Sequence, residues 1–273
     1  MIDHGISLQL GVIGGLGPLA SADFYFKLTR MTQAFRDNEH VPAVILSVPQ
    51  LPDRTEAILA GHDGPLPSLK AAVSTLNALG VACIAMPCNT AHHWYEQLAA
   101  SSQARIIHIA DAVVAETHRS LGRGKVTILA TQGTLVSGFY RDKMLAAGFE
   151  LCFPAGTEFQ GRVDRAIGLV KRGSIAEAAS ETERALEIAR SAGADTAVLG
   201  CTELSVVAAS LNPTNGLIVI DSNAALARAC LTRLGFAAQD VPRPRPVFSS
   251  RKELARKELA RKELERFGGS IQH

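Results

Sequence analysis

Three features of the chain predict an α/β protein of two pseudo-symmetric domains, each a parallel sheet flanked by helices. Short β-rich apolar runs alternate with longer segments of helical periodicity, the pattern of strand–crossover–strand units. Runs such as Val81-Ala82-Cys83-Ile84-Ala85-Met86 are apolar throughout, as strands covered on both faces are. The chain also repeats itself. Met86-Pro87-Cys88-Asn89-Thr90 and Leu199-Gly200-Cys201-Thr202-Glu203 each carry a cysteine eight residues beyond a glycine (Gly80, Gly193) that opens an apolar run. Cys88 lies 76 residues beyond Val12, and Cys201 lies 75 beyond Val126, so the two cysteines occupy matching places in the two halves. A duplicated strand–thiol–helix unit can set two thiols on opposite sides of one interdomain cleft.

In chain order, strands are expected at 8–13, 42–48, 81–86, 105–109, 125–130, 149–153, 196–200 and 217–220. Helices are expected at 18–36, 64–79, 90–99, 111–121, 136–147, 160–172, 175–192, 202–210 and 222–234. Gly14-Gly15-Leu16-Gly17-Pro18 turns the first strand into the first helix, with Pro18 suited to the first helical position. Its spacing is not that of a dinucleotide fingerprint, and no acidic residue caps a second strand at the right distance. It reads as a tight turn, or as a loop whose backbone around Gly15 approaches a small anion. Leu121-Gly122-Arg123-Gly124 is a crossover linker to the second half. The strand at 217–220 and the helix at 222–234 have no evident counterpart there, and are expected to return to the first domain. The resulting division is 1–120 plus 214–242 for the first domain, 121–213 for the second, and a tail at 243–273.

The tail begins with the stiff spacer Pro242-Arg243-Pro244-Arg245-Pro246 and continues as a charged five-residue repeat over 251–266. Glu253/Lys257 and Glu258/Lys262 favour a solvated helix. A five-residue period turns about 140° per step, so its leucines do not stay on one face and no coiled coil is expected. The stretch reads as a charged appendage or a docking element.

Composition excludes several classes of function. Of the 28 basic and 26 acidic residues, the 251–266 repeat holds seven and four, which leaves a body of 21 and 22. That near-neutral body has no electrostatic footprint for nucleic acid. No apolar run approaches the roughly 20 residues of a membrane span, and no basic, then apolar leader opens the chain, so a cytoplasmic protein is expected. The five cysteines (Cys83, Cys88, Cys152, Cys201, Cys230) show no disulfide framework, and no Cys/His spacing suggests zinc. Cys83 and Cys230 sit inside apolar stretches as core residues.

Cys88 and Cys201 each end a parallel strand and precede a helix, at the carboxyl edge where open α/β sheets bind ligands. A helix N-terminus there offers N–H donors to a carboxylate and is expected to lower the thiol pKa below its usual ~8.5. Asn89, Thr90 and Thr202 supply amide or hydroxyl groups for capping or ligand contact. Glu203 could orient a substrate ammonium or simply favour the helix N-terminus.

Gly-Gly-Leu-Gly-Pro at 14–18, Pro-Cys-Asn-Thr-Ala-His at 87–92 and Gly-Cys-Thr-Glu-Leu at 200–204 together resemble the aspartate/glutamate racemase family, and its cofactor-independent aspartate racemase branch in particular. His108-Ile109-Ala110-Asp111, Gly133-Thr134 and Ser137-Gly138-Phe139-Tyr140 also look like family segments; the resemblance covers roughly 8–235 and leaves out the tail. It implies two α/β domains with the active site between them, no pyridoxal phosphate or other cofactor, and no metal. One thiolate removes the Cα proton of one enantiomer while the opposing thiol protonates the other face, and Cys88 and Cys201 match those positions. Some relatives carry Thr in place of one cysteine; this chain keeps both. Arg54 matches a family arginine that clamps a side-chain carboxylate. Lys171 or Arg172 matches a second cation, Thr134 falls in a substrate-binding segment, and His92 matches a family histidine. The implied partner is a dicarboxylic amino acid, and the family habit is a homodimer.

Within this frame the substrate is aspartate, with glutamate or a broader set of amino acids as alternatives. Hydantoin racemases, maleate isomerases and arylmalonate decarboxylases share the superfamily, the last needing only one of the two cysteines. A non-catalytic amino-acid binder and a redox dithiol are readings from other classes.

Overall fold

A computed structural model of the chain describes residues 7–121, 124–212 and 216–240. The charged repeat and the boundary at 242/243 lie outside the described residues. Two four-stranded, wholly parallel sheets are present. The first contains β1 (Leu10–Gly14), β2 (Ala43–Ser47), β3 (Cys83–Ala85) and β4 (Arg105–Ile106), in the order β2-β1-β3-β4. The second contains β5 (Lys125–Leu129), β6 (Glu150–Leu151), β7 (Thr196–Leu199) and β8 (Ile218–Asp221), in the order β6-β5-β7-β8. The helices, in chain order, are α1 (Pro18–Met31), α2 (Arg54–Leu59), α3 (Leu66–Ala78), α4 (Tyr95–Ala99), α5 (Ile109–Ser120), α6 (Gln132–Val136), α7 (Phe139–Ala146), α8 (Glu158–Lys171), α9 (Ile175–Ser191), α10 (Thr202–Val207) and α11 (Ser222–Leu234).

The identical strand order of the two sheets corrects one expectation. The strand at 217–220 does not return to the first sheet: as β8 it pairs with β7, from Thr196↔Ile218 to Leu199↔Asp221. Its counterpart in the first half is β4, a two-residue strand within the expected 105–109. The duplication therefore runs through the fourth strand and the helix after it in both halves.

Alternation along the central strands sends successive side chains to opposite faces. Leu10 and Val12 of β1 join Phe24, Leu28 and Met31 of α1, whereas Ile13 joins Leu69, Val73 and Leu76 of α3. In the second sheet Val126 and Ile128 face Tyr140 and Met144 of α7, whereas Leu129 faces Phe159 and Val163 of α8. The last helix of each half is exchanged. From α11, Leu226, Ala227, Cys230 and Leu231 complete the core of the first sheet with Leu10, Val12 and Ala85. From α5, Ala110 and Val113 complete the core of the second sheet with Val126, Ile128 and Ile220. Helix 222–234 thus packs on the first sheet, whereas the strand before it pairs in the second.

Helix α1 ends at Met31, short of the expected 36, because the Thr32–Gln33 backbone pairs with the segment after α11. Thr32 bridges Ala238, and the Gln33 N–H donates to the Ala237 carbonyl. The helix expected over 136–147 begins only at Phe139, as α7, because Gly138, whose φ of 74° is left-handed, separates it from α6. Gly15 is a second such position, with φ of 85°, and a Cβ there would lie 2.5 Å from the Val48 backbone nitrogen. Gly15→Ala is therefore expected to cost more than the ~1–3 kcal/mol of an unfavourable backbone conformation alone. Chemical denaturation would register it as a lowered midpoint with unchanged slope.

Candidate active site

The carboxyl ends of β1, β3, β5 and β7 converge on a narrow cleft lined by Leu16, Asp53, Arg54, Thr55, Cys88, Asn89, Thr90, Thr131, Ile167, Lys171, Cys201, Thr202 and Glu203. It adjoins a wider hollow that shares Asp53, Arg54, Lys171 and Glu203 and includes Gly15 and Gly17. Both cysteines are free, and both are 5% exposed.

Each motif is held by contacts that cross between the halves. Thr202, after the second cysteine, donates its hydroxyl to the Pro87 carbonyl beside the first, at 3.1 Å. The Asn89 amide donates to Ser222 Oγ at 3.1 Å, and Tyr140 donates to Asn89 Oδ1 at 2.6 Å. Asn89, expected at the ligand, thus borders the cleft with both ends of its amide committed to the scaffold. The hydroxyls of Thr90, Thr131 and Thr134 form a triangle with sides of 2.9, 2.9 and 3.0 Å. Thr90 and Thr131 line the cleft; Thr134 is 1% exposed and supports them from behind. Gly133 permits this approach, since a Cβ there would lie 2.9 Å from Thr55 Cα.

His92 lies behind Cys88. The Ile109 N–H donates to His92 Nε2 at 3.1 Å, so the ring proton resides on Nδ1 and is donated to the Cys88 carbonyl at 2.9 Å. Burial lowers this imidazole to about 4, which keeps it neutral near pH 7. His92 fixes the backbone of Cys88 rather than meeting its sulfur.

The cations and anions of the cleft are arranged unequally. The Arg54 guanidinium donates to the carbonyls of Leu16 at 2.9 Å and Pro52 at 3.2 Å. Its Nε is buried without a hydrogen-bond partner. Lys171, at the end of α8, lines both the cleft and the adjoining hollow, whereas Arg172 lines neither. Glu203 is 6% exposed, accepts the Cys201 S–H at 3.0 Å through Oε2, and rests Oε1 in space that Gly17 leaves open. A Cβ on residue 17 would meet that oxygen at 2.7 Å.

The expectation that helix termini lower both thiol pKa values is not met. Burial raises Cys88, with Arg54 opposing the rise and Glu203 adding to it. Burial raises Cys201 further, reinforced by the charge and the hydrogen bond of Glu203. The following helices are too slight to reverse this: one turn of 3₁₀ helix at Thr90–Trp94 after Cys88, and six residues of α10 after Cys201.

A sequence profile of Asp/Glu/hydantoin racemases matches residues 13–230. The chain belongs to that family. Among the family's proteins, it is 25% identical over 230 residues to the broad specificity amino-acid racemase RacX of Bacillus subtilis, covering 82% of this chain and 97% of that one. Its fold is similar to that of Picrophilus torridus aspartate racemase, with a TM-score of 0.74, 30% identity, and coverage of 85% of this chain and 96% of that one. Glutamate racemase from Campylobacter jejuni shares the fold at a TM-score of 0.58 and 17% identity, over 86% of this chain and 89% of the other. The two-domain racemase architecture expected from the motifs is thereby established.

Several features of the cleft were not foreseen. Asp53, Thr55 and Thr131 border it, and Tyr140 braces it. Asp53 caps α2 by accepting the Glu56 N–H at 2.9 Å, so the Asp-x-x-Glu start signal at 53–56 was available. Thr131 caps α6 in the same manner, accepting the Thr134 N–H at 3.2 Å. Also unforeseen is a largely buried cluster in which Lys27 Nζ meets Asp23 and Asp221, each at 2.6 Å, and the Ser205 carbonyl of α10 at 2.8 Å. Among the described residues, no group of three or more His, Cys, Asp or Glu side chains is disposed to hold a metal ion, and no helix is long and apolar enough to cross a membrane.

Proposed function

We propose that this chain is a cofactor-independent amino-acid racemase that interconverts L- and D-aspartate, with Cys88 and Cys201 as the two acid/base groups. The observation that carries this reading is the placement of two free, equally exposed thiols from matching positions of the two halves in one cleft. A thiol on either side of Cα is what exchange of a proton between two faces requires. The cations favour a dicarboxylic substrate. Arg54 would clamp one carboxylate, and Lys171 would offset the charge of the other. The buried walls make these charges more effective against the developing carbanion than they would be in water. Similarity to the Picrophilus aspartate racemase supports aspartate, while similarity to RacX marks a broader range of amino acids as the second reading.

The test is incubation of the purified, reduced protein in D₂O with L- or D-aspartate, following optical rotation and deuterium at Cα, with glutamate and neutral amino acids in parallel. Racemisation from both sides with deuterium incorporation, and preference for aspartate, is the expected result. Absence of exchange across the whole panel would remove the racemase reading. Equal turnover of neutral amino acids would replace aspartate with the broad range. Arg54→Met is expected to lower kcat/KM for aspartate by about 10²-fold or more, as loss of a charged pairing of ~3 kcal/mol implies. Steady-state kinetics would show a smaller change for a neutral amino acid.

A further inference from the structure

We propose that Arg54 and Glu203 sort the two catalytic protons, so that Cys88 is the thiol that ionises first in the free protein and Cys201 is held as the proton-bearing acid. Glu203 acts as a positioning residue for Cys201. The inference deepens the racemase reading and rests on it for the use made of the two thiols.

The geometry is unequal where the duplication would suggest equality. Both cysteines are 5% exposed, so exposure does not distinguish them. Their neighbours do. On the Cys201 side, Glu203 Oε2 accepts the thiol proton at 3.0 Å, and a carboxylate next to a thiolate disfavours its formation. On the Cys88 side stands the Arg54 cation, itself fixed by the Leu16 and Pro52 carbonyls. Gly17 keeps Glu203 in this position by leaving space for Oε1. The remaining charged or titratable groups at the cleft are Asp53 beside Arg54, Lys171 at its rim, and Tyr140, which burial and Cys201 keep in the phenol form. His92 contributes no charge near pH 7 and bonds the Cys88 carbonyl rather than its sulfur. Burial raises both thiols; Arg54 and Glu203 then oppose each other at Cys88, while the Glu203 carboxylate raises Cys201 with only the Glu203 backbone N–H opposing it, in agreement with this order.

The proton inventory follows. The Cys88 thiolate takes the Cα proton: the C–H bond breaks, an S–H bond forms, and the electron pair stays with the substrate carbanion. The Cys201 S–H bond then breaks as its proton joins the opposite face of Cα. Turnover from this side leaves a Cys88 thiol beside Arg54 and a Cys201 thiolate beside Glu203, the less stable of the two arrangements. The protein must then be reset, either by proton exchange with solvent or by a turnover in the other direction.

The test is alkylation of the substrate-free protein with iodoacetamide across pH 6–10, each cysteine being quantified by peptide mass spectrometry. Cys88 is expected to be modified at lower pH than Cys201, with midpoints about one pH unit or more apart, the scale of one neighbouring charge. Glu203→Gln is expected to bring the Cys201 midpoint down by about one unit with a smaller change at Cys88, and Glu203→Asp to restore most of the separation. Coincident midpoints, prior modification of Cys201, or a Cys201 midpoint unmoved by Glu203→Gln in a protein of native circular dichroism would overturn the assignment. If the Gln variant fails to fold, the order in the unaltered protein decides. Alkylation needs no substrate. A protein that shows the expected order but turns over no amino acid would refute the racemase reading and leave the proton assignment standing.

Discussion

Replacing Cys201 with alanine is expected to abolish racemisation of aspartate while leaving Cα–H exchange of one enantiomer in D₂O. Cys88 can still remove a proton from its own face and return a solvent-derived deuteron there, but no acid remains on the other face. Cys88→Ala should give the mirror result, with exchange confined to the opposite enantiomer. Loss of a positioned acid or base typically removes 10²–10⁴ in rate, and racemisation, which needs both groups in every turnover, should fall by at least that factor. Both thiols are small, and the scaffold around them is held by Thr202, Asn89 and His92 rather than by sulfur, so the variants should fold. Following deuterium and chirality together separates a two-thiol mechanism from a one-thiol alternative. In the latter, one substitution would be silent.

The second large effect concerns stability. Lys27→Met is expected to destabilise the protein by about 3–5 kcal/mol, the cost of removing one partner from a buried ionic group. At about 2–4 °C per kcal/mol for a protein of this size, the midpoint of thermal unfolding should fall by roughly 10 °C. The substitution would leave Asp23 and Asp221 facing each other at 14% and 15% side-chain exposure without their shared cation. It would also free the Ser205 carbonyl of α10, the helix that begins beside Cys201. The pH dependence has a definite sign. Burial, aided by Asp221 and opposed by Lys27 and Asn223, lifts Asp23 from 3.8 to about 6. The folded state therefore holds this proton more tightly than the unfolded chain. The corresponding stabilisation is complete below about pH 4 and is lost as pH rises through about 6. Without Lys27 the carboxyl should rise further, so the variant's deficit should be smaller at pH 5 than at pH 7.5. A deficit that did not vary with pH would show that Asp23 is not the group concerned.

Much of the architecture could be read from the chain because its signals are local. The apolar runs at Leu10–Gly14 and Thr196–Leu199 are buried on both faces, and such runs stand out without any knowledge of the partner strands. The cysteine motifs were legible because duplication repeats them at nearly equal spacing. What escaped was short or long-range. Helix α2 has six residues, too few to show periodicity, and only its capping residues announce it. The pairing of β8 with β7 is a contact between distant segments, and the strand at 105–109 did not reveal itself as the counterpart of β8. The Lys27 cluster joins residues 178 positions apart, Lys27 and Ser205, and no local pattern encodes such a pairing. The direction of the thiol shifts is not legible in the chain, because helix termini are visible in a sequence whereas the burial that outweighs them is a property of the assembled cleft.

The reciprocal placement of α5 and α11 makes the molecule equivalent to a swapped dimer whose two protomers have been joined into one chain. A chain cut near residue 121 would leave each fragment with a sheet whose apolar face is covered by a helix belonging to the other. Neither fragment would be self-sufficient, and the two would regain the native state only by exchanging those helices. Opening the cleft as two rigid lobes about a hinge would require drawing a helix out of each core. The spacing of Cys88 and Cys201 is consequently a property of core packing, and access to the cleft must come from its rim, where Lys171 and the start of α2 at Asp53 and Arg54 lie.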